Sequence, residues 1–192
     1  MILAGGASKR MGNKNKAFLK IGEKSIIERV LDAISVVVPQ VILITNSPEQ
    51  FIHLNRPLYQ DILPGNGPLG GIYTGLINST TNYDLVVACD MPYIQSQLLR
   101  LLINYSQDYD IVIPSTPDGY HPLCAIYSKA CIDPIEKLVN DGSLKVTNLF
   151  NYVKVKEVKL TEIYPEFDLN VLLNINTDQD YEKALAISSQ YN

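Results

Sequence analysis

Leu3-Ala4-Gly5-Gly6-Ala7-Ser8-Lys9-Arg10-Met11-Gly12 follows directly on a short apolar run, Met1 to Ala4, and leads into Lys14, Lys16 and an amphipathic stretch. Glycines after a strand let the backbone come close to a ligand and turn successive N–H groups toward an anion. The segment therefore reads as a phosphate-binding loop between a first strand and the helical region after it. Arg10 adds a guanidinium that grips phosphate oxygens in pairs, and Lys16 adds a point charge. The spacing is neither the GxxxxGK[ST] of a P-loop nor the GxGxxG of a dinucleotide fold. The competing reading is an ordinary strand-to-helix turn carrying a solvated Lys/Arg cluster.

Outward from this loop, short apolar runs alternate with amphipathic segments, the pattern of βα units around a buried, mostly parallel sheet with helices on both faces. The class is α/β. Expected strands are Met1 to Ala4, Val41 to Thr45, Tyr59 to Ile62, Leu85 to Cys89, Ile111 to Pro114 and Leu123 to Ser128. The clearest helix start is Ser25-Ile26-Ile27-Glu28, a capping box followed by Val30, Leu31 and Ile34 at helical spacing and ended before Pro39. Ser47-Pro48 predicts a short helix toward Leu54, and further helices are expected over Leu69 to Ser79, Gln95 to Tyr105, Ser128 to Asn140 and Asp178 to Ser189. In Asn151 to Leu160, valine alternates with lysine or glutamate. This predicts a half-exposed strand, antiparallel or at an edge, with a phase slip near Glu157. No repeat or long linker divides the chain, so residues 1–192 are expected to fold as a single domain.

Composition narrows the function. A chain with 46% hydrophobic and 19% charged residues has an ordinary globular balance. A net charge of −4 argues against a nucleic-acid or anionic-membrane partner, so bound phosphate must be met by local groups. Cys89, Cys124 and Cys131 are odd in number and lack metal-ligand spacing, which points to a reducing, cytoplasmic setting. No signal-peptide core or membrane-length apolar run is present.

Asp90 follows Leu85 to Cys89, which puts a carboxylate at the C-terminal end of a central strand, where open α/β sheets bind ligands. A hard cation such as Mg²⁺ takes one or two carboxylates and fills its other positions with phosphate oxygens and water. The alternative is an aspartate closing the turn before Met91-Pro92. Asn46, also at a strand end, either reads a base edge or makes an Asx-turn before Pro48. Gly65 to Gly71 reads as a turn into a helix whose N-terminus faces a nucleotide, or as a purely structural turn. Asn174 and Asn176 point to one side if extended, unless one of them caps the helix beginning near Thr177 or Asp178. His53 reads as an ordinary surface or core histidine.

The string L-A-G-G-x-S-x-R-M-G, with Lys16-Ala17 after it, resembles the signature of the molybdenum-cofactor nucleotidyltransferases. It departs from the L-A-G-G-x-G-T-R-L of sugar-phosphate relatives. Asp61, Gly67-Pro68-Leu69-Gly70-Gly71, Ala88-Cys89-Asp90-Met91-Pro92, His121-Pro122-Leu123 and Asn174-Ile175-Asn176-Thr177 resemble that family's later blocks in the same order, so the likeness spans nearly the whole chain. It implies a Rossmann-like fold of the nucleotide-diphosphosugar-transferase type and transfer of GMP from GTP to the terminal phosphate of molybdenum-bound molybdopterin. By this likeness Leu3, Ala4, Gly5, Gly6, Lys16, Asn46, Asp61, Gly67, Pro68, Leu69 and Asp90 bind GTP, with Asp61 at the guanosine. Arg10, Lys16 and Asp90 are the catalytic residues, and Asp90 holds Mg²⁺. His121, Lys145, Asn174 and Asn176 fall on the pterin side, Asp118 to Pro122 being the acceptor loop, although Lys145 also reads as a solvated lysine. The Gly5-Gly6 pair accompanies guanine use, where cytidylyltransferase relatives read L-A-A-G. Molybdopterin-delivering proteins and molybdoenzymes are the protein partners the likeness implies. The chain departs from the pattern in its short first strand, in Asn15 where an acidic residue is common, and in Lys14. A cytidylyl- or sugar-phosphate nucleotidyltransferase, and a non-catalytic nucleotide- or pterin-binding chaperone, are the rival readings.

Overall fold

A computed structural model of the protein describes residues 1–5, 15–163 and 168–190. In chain order the elements are β1 (Ile2–Leu3), a small antiparallel pair β2 (Lys20–Ile21) and β3 (Lys24–Ser25), α1 (Ile26–Ser35), β4 (Leu43–Ile44), β5 (Leu58–Tyr59) and α2 (Gly67–Asn78). Then come β6 (Tyr83–Ala88), α3 (Ser96–Asn104), β7 (Ile111–Thr116), β8 (Gly119–Tyr120), β9 (Cys124–Ser128), α4 (Ile132–Asn140), β10 (Val155–Lys159), the short α5 (Leu160–Ile163) and α6 (Asp178–Gln190).

The main sheet runs β10-β7-β9-β6-β1-β4-β5, with β8 paired to β7. All neighbours along that path are parallel except at β9, which runs against both β6 and β7. The chain builds outward from β1 to β4 and β5, then returns to β6 on the other flank of β1. The strand order therefore reverses between β1 and β6, and the crevice beyond their carboxyl ends is where such sheets take ligands.

Successive strand residues face opposite ways, and this produces two cores. Ile2, Leu43, Leu85 and Val87 join the face covered by α1 and α3, whereas Leu3, Ile44 and Val86 join the face covered by α2 and α4. On α1, Ile26, Ile27, Val30, Leu31 and Ile34 are buried, each such side chain contributing roughly 1.5–3 kcal/mol. The expected capping box starts this helix, the Glu28 carboxylate accepting from the Ser25 N–H at 2.7 Å. α2 lies close against β1 because it carries Gly75 there: a Cβ at that position would sit 1.9 Å from the Met1 sulfur.

Several segments differ from their sequence-based expectation. Ser47 to Leu54 forms two short 3-10 turns, Pro48–Gln50 and Ile52–Leu54, separated by the fully buried Phe51. The helix expected from Ser128 opens with a 3-10 turn, Lys129–Cys131, capped by the Ser128 hydroxyl, before α4 begins. β10 is at the sheet edge, and it pairs parallel to β7 in unbroken register from Val155 opposite Ile111 to Lys159 opposite Ser115. The phase slip needs no bulge, because Val155 packs on one core and Val158 enters the other. Among the described residues no helix is long and apolar enough to cross a membrane.

Candidate active site

The sequence-predicted residues gather along the carboxyl edge of the parallel strands. Ala4 and Gly5 leave β1, Asn46 follows β4, Asp61 follows β5, Asp90 follows β6, and His121 precedes the reversed strand β9. The β1 exit is tied to both neighbouring strands: Cys89 N–H, after β6, donates to the Leu3 carbonyl at 3.1 Å, and Ala4 N–H donates to the Ile44 carbonyl of β4 at 2.8 Å. Gly6 and Arg10 lie outside the described residues.

At the centre of the edge, Asp90 is bonded through its backbone, its carbonyl accepting from the Ile175 N–H at 3.0 Å. Its side-chain Oδ1 is buried without a hydrogen-bond partner, and so is the Oδ1 of Asn174, the residue just before Ile175. Burial pushes the Asp90 carboxyl above its ordinary value, the Lys16 charge pulls it back down, and Asp180 adds to the rise. The same burial, with the Asp90 charge beside it, pushes the Cys89 thiol up and leaves it unreactive at neutral pH. Lys16 sits in a 3-10 turn whose N-terminus is capped by the Asn15 side chain, which accepts from the Ala17 N–H at 3.1 Å. Asn15 is thus structurally employed as a cap. The Lys16 ammonium donates to the Asn176 carbonyl, joining the loop after β1 to the segment before α6.

Neither asparagine caps α6. Thr177 and Asp180 do so: the Asp180 carboxylate accepts from the N–H groups of Asn176 at 2.9 Å and Thr177 at 2.8 Å, and Asp180 N–H donates to the Thr177 hydroxyl at 3.2 Å. Both asparagine side chains are left for other work. Thr177-x-x-Asp180 is a legible capping box that the sequence reading passed over. Similarly, the turn after β4 is closed by Thr45, whose hydroxyl accepts from the Ser47 N–H at 3.2 Å, while Pro48 offers Asn46 no N–H for an Asx-turn, so that reading falls and the Asn46 side chain is exposed.

On the β5 side, Asp61 is anchored to α2. Its Oδ1 accepts from the Leu63 N–H at 3.0 Å and from the Thr74 hydroxyl at 3.1 Å, while Ile62 N–H donates to that hydroxyl oxygen at 3.0 Å. The approach is close enough that a Cβ on Gly70 would lie 2.5 Å from the Leu63 carbonyl oxygen and 3.0 Å from each Asp61 carboxyl oxygen. Gly67 and Pro68 are exposed at the start of α2. Leu69 is fully buried and Leu3 nearly so, which leaves only their backbones to face a nucleotide.

On the β7–β9 side, a cavity of about 350 Å³ is lined by His121, Asn174 and Asp118 of the expected acceptor loop, together with Thr116, Asn170 and Lys183, three residues that the sequence reading did not select. Lys145 is exposed beyond α4, and its segment reaches the β8 hairpin through an edge-on contact of Phe150 with Tyr120 at 5.2 Å. A larger cavity of 710 Å³, lined by Arg29, Tyr93 and Gln95 among others, holds none of the predicted residues. Size counts for less than chemistry here, because the smaller space, unlike the larger, is lined by Asn174, a residue with an unpartnered buried amide oxygen. Among the described residues no three His, Cys, Asp or Glu side chains cluster as a metal cage. Any cation at Asp90 must therefore take most of its ligands from elsewhere, as Mg²⁺ bound with phosphates does.

A reversing α/β sheet with a glycine-rich sequence after its first strand and, at the crevice, a buried carboxylate with one unpartnered oxygen under the influence of a lysine defines a protein of the nucleotidyltransferase class. Residues 1–157 match the family described as "MobA-like NTP transferase domain", and the chain belongs to that family. It is 40% identical over 184 residues to a "Probable molybdenum cofactor guanylyltransferase" of Clostridium perfringens, covering 94% of this chain and 92% of the relative. It is 34% identical to the "Molybdenum cofactor guanylyltransferase" of Desulfosudis oleivorans, covering 97% and 93%. Among solved structures it resembles the molybdopterin-guanine dinucleotide biosynthesis protein A of Archaeoglobus fulgidus, with a TM-score of 0.81 and 26% identity over 98% of this chain and 97% of that one.

Proposed function

We propose that this nucleotidyltransferase moves GMP from GTP to the terminal phosphate of molybdenum-bound molybdopterin, giving the guanine dinucleotide and pyrophosphate. The observation that carries the reading is the buried, partnerless Oδ1 of Asp90 at the reversal point between β1 and β6, with the Lys16 charge acting on it. An acceptor phosphate oxygen is already anionic near neutral pH, so it attacks the α-phosphorus without a general base. The bond to the β-phosphate breaks as the new one forms, and catalysis rests on positioning and charge neutralisation. Lys16 and Arg10, with the N–H groups of the loop from Leu3 to Gly6, hold the triphosphate. Asp61, Asn46, Gly67, Pro68 and Leu69 form the nucleoside side, the leucine through its backbone. His121, Lys145, Asn174 and Asn176 face the acceptor.

The unpartnered oxygens of Asp90 and Asn174 suit a hard divalent cation, and these two residues would hold Mg²⁺. When bound it supplies charge neutralisation for the triphosphate. In this reading residues 1–192 work as one domain in the cytoplasm and hand the product to molybdoenzymes by protein contact.

The test is a competition: protein, Mg²⁺, molybdenum-bound molybdopterin and equal GTP and CTP, with the pterin product identified by mass spectrometry and pyrophosphate measured in parallel. A guanine dinucleotide is expected. A cytosine dinucleotide overturns the base assignment, and GTP binding with no dinucleotide and no pyrophosphate overturns catalysis in favour of a binding module.

A further inference from the structure

The cavity beside Asn174 contains an arrangement that the reaction just described does not require. The Thr116 hydroxyl lies between two partners: it donates to Asp118 Oδ1, and it stands 2.7 Å from His121 Nε2. His121 Nε2 is itself 4.0 Å from the same Asp118 oxygen. A hydroxyl has one proton, and an ionised carboxylate can only accept. With that proton committed to Asp118, the Thr116 oxygen can meet His121 only as an acceptor, so Nε2 must carry the ring's hydrogen. The other nitrogen, Nδ1, is then a lone-pair acceptor. Burial pulls the His121 imidazolium down from its ordinary value, with Asp118 opposing, so the neutral ring is the form present at neutral pH.

We infer that Thr116 and Asp118 are positioning residues that lock His121 in the Nε2–H form, so that Nδ1 accepts a hydrogen bond from an N–H or NH₂ group of a heterocyclic acceptor bound in this cavity. The rest of the lining fits such a ligand. Asn170 brings an amide that both donates and accepts, Asn174 adds an amide donor, and Lys183 adds the cation that a phosphorylated ligand needs. The Lys183 charge is not engaged in an ion pair among the described residues. A site built around a fixed acceptor discriminates by what it leaves unpaired: a ring lacking the N–H group would bury Nδ1 without a partner. The inference rests on the proposed acceptor being a pterin, but the state of the ring can be read without it.

The chain has only two histidines, His53 and His121, so protein labelled with ¹⁵N-histidine gives an assignable long-range ¹⁵N–¹H spectrum. Above about pH 7.5, where an ordinary histidine is neutral, His121 should show a fully unprotonated Nδ1 and a protonated Nε2. Molybdopterin, but not GTP alone, should then shift the Nδ1 resonance toward shielding. In Asp118→Asn, an exposed change that keeps the shape, the amide also has hydrogens to donate, so the Thr116 proton is no longer forced away from the ring. The two ring nitrogens should move toward averaged shifts, and KM for the acceptor should rise roughly tenfold while KM for GTP holds. Thr116→Ser on its own, which keeps the hydroxyl, should retain the wild-type ring spectrum. A wild-type ring carrying its hydrogen on Nδ1 overturns the inference, as does an averaged ring in Asp118→Asn with unchanged acceptor KM. Wild-type protein that shows the expected ring but makes no guanine dinucleotide sinks the proposed reaction instead.

Discussion

Replacing Gly70 by alanine tests whether the close approach of α2 to the Asp61 loop serves the nucleotide. The new methyl carbon would lie 2.5 Å from the Leu63 carbonyl oxygen, against about 3.3 Å for the tightest ordinary C–H···O contact, so about 0.8 Å of displacement is required. The obstacles are poor ones to move. Besides that carbonyl they are both Asp61 carboxyl oxygens, and the loop is pinned by the Thr74 hydroxyl and by Asn66, whose side chain donates to the Leu63 carbonyl at 3.0 Å. Alanine gains about 1 kcal/mol of helix propensity over glycine, and overpacking costs about 1–3 kcal/mol. Because the clash is with backbone and a bonded carboxylate, the cost should fall at the upper end and leave a net loss of about 1–2 kcal/mol. Displacing Asp61 should also raise KM for GTP about tenfold or more, with acceptor KM unchanged. Gly71→Ala is the contrast: the nearest atoms to its methyl are the terminal methyls of the Leu3 side chain at 3.3 Å, a mild contact offset by alanine's helix propensity, and stability should stay within about 0.5 kcal/mol of wild type. Urea midpoints at constant slope, together with GTP kinetics, decide the matter. A Gly70→Ala protein as stable as wild type with unaltered GTP KM would refute the claim that this contact holds a nucleotide-binding aspartate in place.

Asp90→Asn should cut turnover by about 100- to 1000-fold without unfolding the protein. Burial raises the Asp90 pKa in the folded state, so its contribution to stability is intact below the unfolded value and is lost as pH rises through the folded one. Metal-free Asp90→Asn should therefore gain on wild type in melting temperature as pH rises above about 4, and added Mg²⁺ should stabilise only the wild type. Lys16→Ala should lose a similar factor in rate, and intact turnover in both variants would end the assignment of this centre. Asp180→Ala removes the cap of α6 and should cost about 1 kcal/mol in denaturant titration. Burial pushes the Asp180 carboxyl up, but the Asn176 and Thr177 hydrogen bonds outweigh it and hold it low overall. Its stabilising effect is thus present above the unfolded value of about 4 and is lost as pH falls from there through the lower folded value, below which the charge-dependent part of the difference between wild type and variant should vanish.

What could be read in advance was whatever depends on local pattern. The Ser25–Glu28 box, the buried runs of β6 and β7 and the placement of Asp90 at a strand end follow from spacing within a few residues. The topology behind them gave those residues meaning, since it is the return of the chain to β6 beside β1 that turns two strand ends into one crevice. Tertiary packing decided the misread segments. Phe51 is fully buried and interrupts the helix expected from Ser47, and β10 uses both of its faces, so its broken alternation marks two cores where a bulge was expected. The acceptor side was legible only in part, because Thr116 and Asp118 acquire a role by standing across a hairpin from His121, and Asn170 and Lys183 by the way α6 and the turn before it fold back over the sheet edge. None of these four belongs to a periodic pattern. The nucleotide half of the site, built on strand ends and a glycine loop, leaves a signature along the chain. The half that selects an acceptor is assembled from side chains far apart in sequence, and such a surface can change its preference through single substitutions that leave every strand and helix signal unaltered.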